Sequence, residues 1–210
     1  MPIITAIKPQ KRREERFNIF LDGKFAFSLP AEALAKAGLH SNQEISQESV
    51  EKLIKESELS LVFDKVLKFL SFRPRSEFEI NEYLLRKNVG EETRKMVLQK
   101  LKQLQLINDE AFARWWLEQR STFRPSGTRL VKYELRRKGV AEELIKTLLA
   151  EERPKVADVL LAEKLAVKKL PRLKNLPEKE IKQKLYVSLA QKGFSFEVIE
   201  ETVAKILKKR

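Results

Sequence analysis

The chain has 210 residues, and its 43 lysines and arginines outnumber its 30 acidic residues, which gives a net charge of +13 at pH 7. It has no cysteine and a single histidine, His40, so disulfides, thiol nucleophiles, Cys-based zinc sites and multi-histidine metal sites are excluded. A carboxylate-only metal site stays open. Six glycines and eight prolines are few for a turn-rich β-sandwich.

The sequence carries no signal for membrane insertion or export. It has no apolar run of about 18 residues, the length that a transmembrane helix needs. Its first residues contain no apolar segment followed by a small-residue cleavage site, which a secretory signal peptide would have. We therefore expect a cytoplasmic protein.

The positive charge increases along the chain. Residues 1–60 have a net charge of 0, residues 61–109 and 110–153 each have +3, and residues 154–210 have +7. Such a field attracts polyanions, either nucleic acid or a nucleoprotein. Solubility alone is the alternative explanation.

The first thirty residues predict a β-hairpin. Apolar residues alternate with other residues over 17–21 and again over 25–28, on either side of Asp22-Gly23. An Asp-Gly pair between two such segments favours the tight turn in which both positions take positive φ. Residues 3–7 are a candidate third strand.

The rest of the chain predicts helices. Residues 8–16 are expected to form a polar, basic linker, and Pro30 opens a short helix over residues 31–37 that Gly38 can end in the left-handed conformation. From residue 46 onwards apolar residues recur at helical spacing. The further predicted helices cover residues 46–57, 59 to a stop at Pro74, 76–87, 91–104, 109–122, 126–138, 141–151, 155–169, 177–192 and 195–208.

Two of these helices begin with capping signals. Ser76 and Glu79 form a capping-box pattern, in which the hydroxyl and the carboxylate each accept a hydrogen bond from a backbone N–H group. Asp109 is predicted to cap the helix over residues 109–122. Both signals predict sharp helix starts after turns.

The helical part contains an internal repeat. The sequence Phe-Arg-Pro at residues 72–74 recurs 51 residues later at residues 123–125. Asn88, Gly139 and Gly193 hold equivalent positions and belong to the residue types that tolerate a left-handed helix end. We therefore expect a mainly α protein, with tandem three-helix repeats in an elongated, curved array after a small β-hairpin segment. The predicted divisions are 1–58, 59–108, 109–153 and 154–210.

The strongest candidate for a binding surface is the helix predicted over residues 126–138. A helical wheel places its apolar residues on one side and its cations on the other. The apolar side consists of Leu130, Val131 and Leu135. The basic side consists of Arg129, Lys132 and Arg136, flanked by Tyr133 and Arg137. A basic stripe with one aromatic ring suits phosphate contacts and stacking, and a merely solvated helix face is the alternative.

Other basic residues are further candidates for contacts with a partner or with DNA. Arg73, Arg75 and Arg124 lie in turns between helices, where they could instead pair with carboxylates such as Glu77. Charge is also dense over residues 168–174. The remaining candidates are Lys138, Lys168, Lys169, Arg172 and Lys174.

Two adjacent tryptophans lie in the helix predicted over residues 109–122. A helix points Trp115 and Trp116 about 100° apart. One is expected to fill the core with Phe112, and the other to be partly exposed or to pack against the neighbouring repeat. Packing is therefore the favoured role, and a protein-interface anchor is the alternative.

Catalytic motifs are absent from the sequence. It contains no Gly-rich phosphate loop, no Gly-x-Ser-x-Gly and no His-Glu-x-x-His. Acidic pairs such as Glu142-Glu143 lie in first turns or on exposed helix faces, where they suit the helix dipole and not a shared metal. We therefore expect no enzymatic activity, no cofactor and no metal site.

In combination, these segments resemble the RecX family, the regulatory proteins of the bacterial RecA recombinase. The matching segments are RFNIFLDGKFAFS at 16–28, LSFRPRSEFE at 70–79 followed by Tyr83-Leu84, NDEAFA at 108–113, Gly127 with ELRRKGV at 134–140, and Gly193-Phe194. Asn108 replaces the first residue of the family's Asp-Asp element, and Asn88 stands where Lys-Gly or Lys-Glu is common. The resemblance covers nearly the whole chain and is loosest in the third repeat.

The resemblance implies a non-enzymatic modulator that binds the RecA–DNA filament, in its groove or at its end. It implies inhibition of ATP hydrolysis, strand exchange and co-protease activity, and thus a part in homologous recombination, DNA repair and the SOS response. It also implies contact with single- and double-stranded DNA, directly or through the filament. We expect a monomer, because no heptad seam is visible.

Two other functions stay open. The chain could bind nucleic acid directly, with its three-helix units acting like helix-turn-helix modules. It could also be a basic helical adaptor for an unrelated acidic protein. Direct phosphate binding would weaken steeply with salt, whereas filament binding would require RecA.

Overall fold

A computed structural model describes residues 1–11 and 13–208 of the chain. Within these residues the chain forms a three-stranded sheet followed by ten α-helices. The strands are β1 (Ile4–Gln10), β2 (Arg13–Leu21) and β3 (Lys24–Pro30). The helices are α1 (Ala31–Lys36), α2 (Gln47–Leu70), α3 (Glu77–Arg86), α4 (Glu91–Gln103), α5 (Asp109–Thr122), α6 (Thr128–Arg137), α7 (Glu142–Glu152), α8 (Lys155–Lys169), α9 (Glu178–Gln191) and α10 (Phe196–Lys208), with a short 3-10 helix, Leu170–Arg172, after α8.

The mainly helical architecture with a small N-terminal sheet is confirmed. From α3 onwards, each helix begins and ends within two residues of its predicted bounds. Asn88, Gly139 and Gly193 have φ values of 55°, 75° and 80°, so the predicted left-handed helix ends are also confirmed. No helix in the described part of the chain combines the length and the apolar composition needed to cross a bilayer. The division of the chain at residues 58, 108 and 153 stays a prediction.

The sheet has the antiparallel order β1-β2-β3. Asp22 and Gly23 both have positive φ, 47° and 80°, as the predicted hairpin turn requires. The prediction of a linker over residues 8–16 is wrong, because β1 and β2 continue through most of it. Polar side chains do not prevent this strand pairing, because the hydrogen bonds between strands use backbone groups. Polar side chains also bond across the strands, since the Gln10 side-chain amide donates to Asn18 Oδ1 at 2.8 Å.

The prediction of separate helices before and after Ser57 is wrong as well, because α2 is one continuous helix. Ser57 is buried, and its hydroxyl donates to the Ser28 carbonyl of β3 at 2.5 Å. The serine therefore joins the helix to the sheet and does not end the helix. Ser46 supplies the N-cap, accepting from the Ser49 N–H group at 3.2 Å.

The described residues divide into two compact units. The first consists of Met1–Arg73 with Leu84–Lys100, and the second consists of Pro74–Tyr83 with the residues from Leu101 onwards. The core of the first unit joins the sheet to α2 through Ile4, Ile19, Phe27, Leu29, Ile45, Val50 and Leu53. Beside it Arg16, only 3% exposed, donates to the Ser28 carbonyl at 3.0 Å and to the Ser60 hydroxyl at 2.9 Å.

The second unit contains two apolar cores, one for each of its complete three-helix repeats. The core of α5, α6 and α7 includes Phe112, Leu135 and Ile145. The core of α8, α9 and α10 includes Leu185, Phe194 and Val203. Each repeat thus buries its own apolar faces, which leaves the outer faces of its helices available for other contacts.

Two equivalent hydrogen bonds join the repeats in the second unit, one from a side-chain hydroxyl and one from a backbone N–H group. The Ser76 hydroxyl donates to the Lys138 carbonyl at 2.6 Å, and 51 residues later the Gly127 N–H group donates to the Lys192 carbonyl at 2.8 Å. In each case the start of one helix satisfies an unpaired carbonyl at the end of the equivalent helix in the next repeat.

An aspartate completes each junction. Asp109 accepts from the Glu77 N–H group at 2.8 Å, and Asp158 accepts from the Thr128 N–H group at 2.9 Å. The prediction that Asp109 caps its own helix is therefore wrong. Asn108 caps α5 instead, accepting from the backbone N–H groups of residues 110 and 111.

Candidate partner-binding surface

Helix α6 positions the basic stripe that the sequence predicts. Val131 and Leu135 are fully buried and Leu130 is partly buried, so the predicted core side is confirmed. The opposite side carries a surface that we call the α6 face. It consists of Arg129, Lys132, Tyr133, Arg136 and Arg137. The structure therefore brings five of the predicted binding residues together on one helix.

Part of the positive charge of the α6 face is neutralised by Glu142, at the start of α7. Arg136 donates to both carboxylate oxygens of Glu142, at 2.6 and 2.7 Å, and Lys132 lies 2.8 Å from the same carboxylate. Hydrogen bonds from Arg136, and then from Lys132, lower the pKa of Glu142 from its usual value to about 2. The same pairing raises the pKa of Arg136.

Glu142 is a residue of this surface that the sequence reasoning missed. The left-handed turn at Gly139 reverses the chain and brings the start of α7 against the last turn of α6. The available signal was the six-residue separation of Arg136 and Glu142 across a predicted glycine turn. From its position in the first turn, the sequence predicts only an interaction of Glu142 with the helix dipole.

Arg129 and Arg137 are the exposed cations of the α6 face that Glu142 does not pair with. Both side chains are exposed, and no carboxylate among residues 1–11 and 13–208 lies within ion-pair distance of either guanidinium. The Arg137 guanidinium carbon lies 5.9 Å from the centre of the Tyr133 ring. Tyr133 is itself 55% exposed, so the α6 face presents two cations beside an accessible ring.

Lys138, predicted as a binding residue, lies at the junction between its own repeat and the preceding one. Its side chain is 18% exposed, and its ammonium nitrogen lies 2.5 Å from a carboxylate oxygen of Glu79. The same nitrogen lies 4.2 Å from the centre of the Trp116 ring. We therefore leave Lys138 out of the α6 face.

The capping-box prediction for α3 can be compared with the contacts of Ser76 and Glu79. The Ser76 hydroxyl accepts from the Glu79 N–H group at 3.1 Å, as the pattern predicts. The Glu79 carboxylate accepts from the Lys138 ammonium group.

Both tryptophans pack against the core, with their ring centres each 6.0 Å from that of Phe112. Trp116 also donates to Glu134 at 2.9 Å, and Arg120 donates to the same carboxylate at 2.6 and 2.7 Å. Both rings are partly buried. Packing thus accounts for both tryptophans, and Glu134 is held by internal partners.

The other predicted cations lie outside α6. Arg73 and Arg75 are partly buried in the turn before α3 and take part in further interactions, whereas Arg124 is exposed in the turn before α6. The last group of cations extends from the end of α8 through the 3-10 helix to the residues that follow it. Its members are Lys168, Lys169, Arg172 and Lys174.

Comparison with known proteins agrees with this architecture. Four family models match: the regulatory protein RecX N-terminal domain over residues 2–46, and the first, second and third RecX three-helix domains over residues 63–101, 108–149 and 158–203. The chain is 35% identical over 210 residues to "Regulatory protein RecX" of Bacillus subtilis, covering 98% of this chain and 78% of the relative. It is 33% identical over 207 residues to the protein of the same name from Lactobacillus gasseri, covering 98% and 75%.

Solved structures give the same result. A structure titled "Crystal structure of regulatory protein RecX" matches with a TM-score of 0.75 at 31% identity, covering 96% of this chain and 98% of that one. The fold is also similar to that of RecX from Lactobacillus salivarius, with a TM-score of 0.64 at 24% identity over 72% of this chain and 97% of that one.

Proposed function

Because the chain belongs to the RecX family of regulatory proteins, we propose that it binds the RecA–DNA filament and inhibits the recombinase. The activities restrained would be ATP hydrolysis, strand exchange and co-protease cleavage, and the protein would need no catalysis or cofactor of its own. A regulator of this kind would act in homologous recombination, DNA repair and the SOS response. It would work as a monomer in the cytoplasm, where RecA and its DNA are found.

The observation that carries this proposal is the α6 face. Arg129 and Arg137 are exposed cations without a carboxylate partner in the part of the chain that the structure describes. A filament coated with phosphates and acidic side chains would pair with these cations and release counterions. Arg124 and the cations of residues 168–174 would extend the same attraction over more of the protein.

The DNA-dependent ATPase of the cognate RecA, titrated with this protein, tests the proposal. We expect the rate to fall, and excess DNA should not restore it. Inhibition at far fewer copies than RecA protomers would indicate action at filament ends, whereas inhibition near one copy per few protomers would indicate binding along the groove. An unchanged ATPase rate at every ratio would contradict the proposal.

Charge reversal of the α6 face sharpens this test. The variant Arg129→Glu/Arg137→Glu avoids Lys132 and Arg136, whose reversal would place new carboxylates against Glu142. We expect at least about tenfold weaker inhibition, because interfacial attraction becomes repulsion. The matched control is Lys55→Glu/Lys65→Glu on α2, which makes the same change in net charge at two exposed positions. Equal inhibition by both variants would show that the α6 face is only solvated.

Direct nucleic-acid binding is a second candidate function, favoured by the proximity of Arg137 to the accessible Tyr133 ring. A protein of this kind would bind DNA without RecA, and its affinity would fall steeply as salt increases. ATPase inhibition that excess DNA reverses would favour this function, because the protein would then compete with RecA for DNA.

A further inference from the structure

A cavity of about 630 Å³ opens beside the α6 face, where α6 meets α9 and α10. Its walls are apolar, with Leu130, Val187, Ala190 and Ile199 among the lining residues. Four aromatic residues also line it: Tyr133, Tyr186, Phe196 and the buried Phe194. We call this cavity the aromatic groove. Its volume lies within the usual range for ligand pockets, roughly 300–1,000 Å³.

Two rings of the aromatic groove are more exposed than rings that only fill a core. Tyr133 is 55% exposed and Phe196 is 59% exposed. The ring centres of Tyr186 and Phe196 lie 6.3 Å apart in an edge-on arrangement, and Tyr186 also lines a second cavity together with Glu200. Glu200 does not line the groove. Exposed aromatic rings gathered in one concavity are typical of a binding site.

The lining of the groove carries positive charge. Arg129 is the one charged residue among the described residues that line it, and its guanidinium has no carboxylate partner there. One further cation lies beside a groove ring, because the Arg137 guanidinium is 5.9 Å from the centre of the Tyr133 ring. Lys182 lies 5.9 Å from the Tyr186 ring, but it lines a second cavity together with Glu200 and Glu201. The groove therefore combines apolar walls, accessible rings and a cationic rim.

The floor of the groove is held rigidly by a close backbone contact. The Gly193 carbonyl accepts from the Arg129 N–H group at 3.1 Å, and the Gly127 N–H group donates to the Lys192 carbonyl at 2.8 Å. A Cβ atom at either glycine would lie closer than 3.0 Å to the facing chain. A groove fixed in this way loses little conformational freedom when a ligand binds.

We propose that the aromatic groove binds single-stranded nucleic acid, with a base stacked against Tyr133 or Phe196 and the flanking phosphates held by Arg129 and Arg137. This inference rests on the proposed function and deepens it, because it gives the regulator a site for the strand at its own surface. An apolar peptide would use the aliphatic walls, but it would leave the cationic rim unpaired. A phosphate backbone with its bases uses both features.

The test compares two labelled polymers by fluorescence anisotropy, without RecA. One is an oligothymidylate of roughly 16 nucleotides, and the other is an abasic oligonucleotide with the same number of phosphates. We expect the wild-type chain to bind the oligothymidylate roughly 5- to 150-fold more tightly, which is the range for stacking of one base. Tyr133→Ala and Phe196→Ala should reduce this preference and leave both the abasic affinity and the salt dependence unchanged.

Conservative substitutions and a matched control variant distinguish loss of a ring from misfolding. Tyr133→Phe and Phe196→Tyr retain a ring and should retain the preference for bases. Phe123→Ala removes a ring that is 71% exposed in the same unit but does not line the groove, so the preference should be unchanged. Circular dichroism would establish that each variant keeps its helices.

Three results would overturn the proposal. The first is equal wild-type affinity for the two polymers, and the second is an unchanged preference in Tyr133→Ala and Phe196→Ala. The third is a loss of RecA inhibition in these variants with no change in oligothymidylate binding, which would assign the groove to a protein contact. Failure of the proposed function would be seen separately, as an unchanged RecA ATPase rate with the wild-type chain.

Discussion

Helices α6 and α9 hold the same place in successive three-helix repeats, 54 residues apart, yet they present different chemistry at their surfaces. Their buried positions agree: Val131 and Leu135 of α6 correspond to Leu185 and Leu189 of α9, and all four are at most 1% exposed. These apolar positions keep each helix against its own core.

The other side of each helix has diverged. Lys132, Tyr133, Arg136 and Arg137 of α6 correspond in order to Tyr186, Val187, Ala190 and Gln191 of α9. The first set forms most of the α6 face, and the second set lines the aromatic groove. The buried positions therefore preserve the repeat, whereas the equivalent exposed positions differ between the two helices. At these positions α6 presents mainly charge, and α9 presents mainly apolar surface.

The largest expected effect comes from breaking the contact between the two repeats with Gly193→Ala. Gly193 has a φ of +80°, and a Cβ atom there would lie closer than 3.0 Å to the backbone and Cβ of Leu130. We expect the free energy of unfolding to fall by about 2–5 kcal/mol, from left-handed strain together with overpacking. Urea unfolding followed by circular dichroism measures the loss.

Gly38→Ala is the matched control for this substitution. Gly38 has a φ of +60°, but a Cβ atom there would meet nothing within 4 Å. We expect a loss of only about 1–2 kcal/mol, from backbone strain alone. Equal losses in the two variants would mean that the contact between α6 and the end of α9 is not close-packed.

A smaller effect is expected when the charge of the α6 face is increased. Glu142→Gln removes the carboxylate that pairs with Arg136 and Lys132, so both cations become available to phosphates. We expect the log–log salt dependence of single-stranded DNA binding to steepen by roughly 0.7–1.4. The matched control, Glu143→Gln, makes the same charge change at an exposed neighbour. Identical slopes for the two variants would show that the pairing at Glu142 does not regulate the α6 face.

The smallest effect concerns pH. The pKa of Glu142 is lowered to about 2, first by hydrogen bonds from Arg136. A group with a depressed pKa stabilises the folded state above its unfolded pKa, and this contribution is lost as pH falls through the folded pKa. Because Glu142 is solvent-accessible, we expect little change in stability but a carboxyl titration near pH 2 by NMR. Arg136→Gln should raise the midpoint; an unchanged midpoint would show that Arg136 does not set it.

The sequence predicts helix bounds in the repeats well because their signals are local. Residues 109–122 and 155–169 match α5 and α8 at both ends. Apolar spacing, proline and the left-handed caps act within a few residues of one another, so a single sequence contains the whole signal. The core side of α6 follows from the same periodicity.

Contacts between distant residues were not predicted. The linker prediction includes Arg16, but this residue is buried in the first unit, where its guanidinium donates to Ser28 and Ser60. The pairing of Arg136 with Glu142 depends on how sharply the turn at Gly139 reverses the chain. The aromatic groove needs three helices from two repeats, so no local pattern in α9 or α10 pointed to it.

Binding to preformed RecA–DNA filaments tests the central claim, that the α6 face contacts the filament, most directly. Co-sedimentation would compare the wild-type chain with Arg129→Glu/Arg137→Glu and Lys55→Glu/Lys65→Glu, and DNA without RecA would give the reference. We predict that the wild-type chain and the α2 control sediment with the filament, while the α6 variant binds at least about tenfold more weakly. Equal sedimentation of all three proteins would contradict the claim.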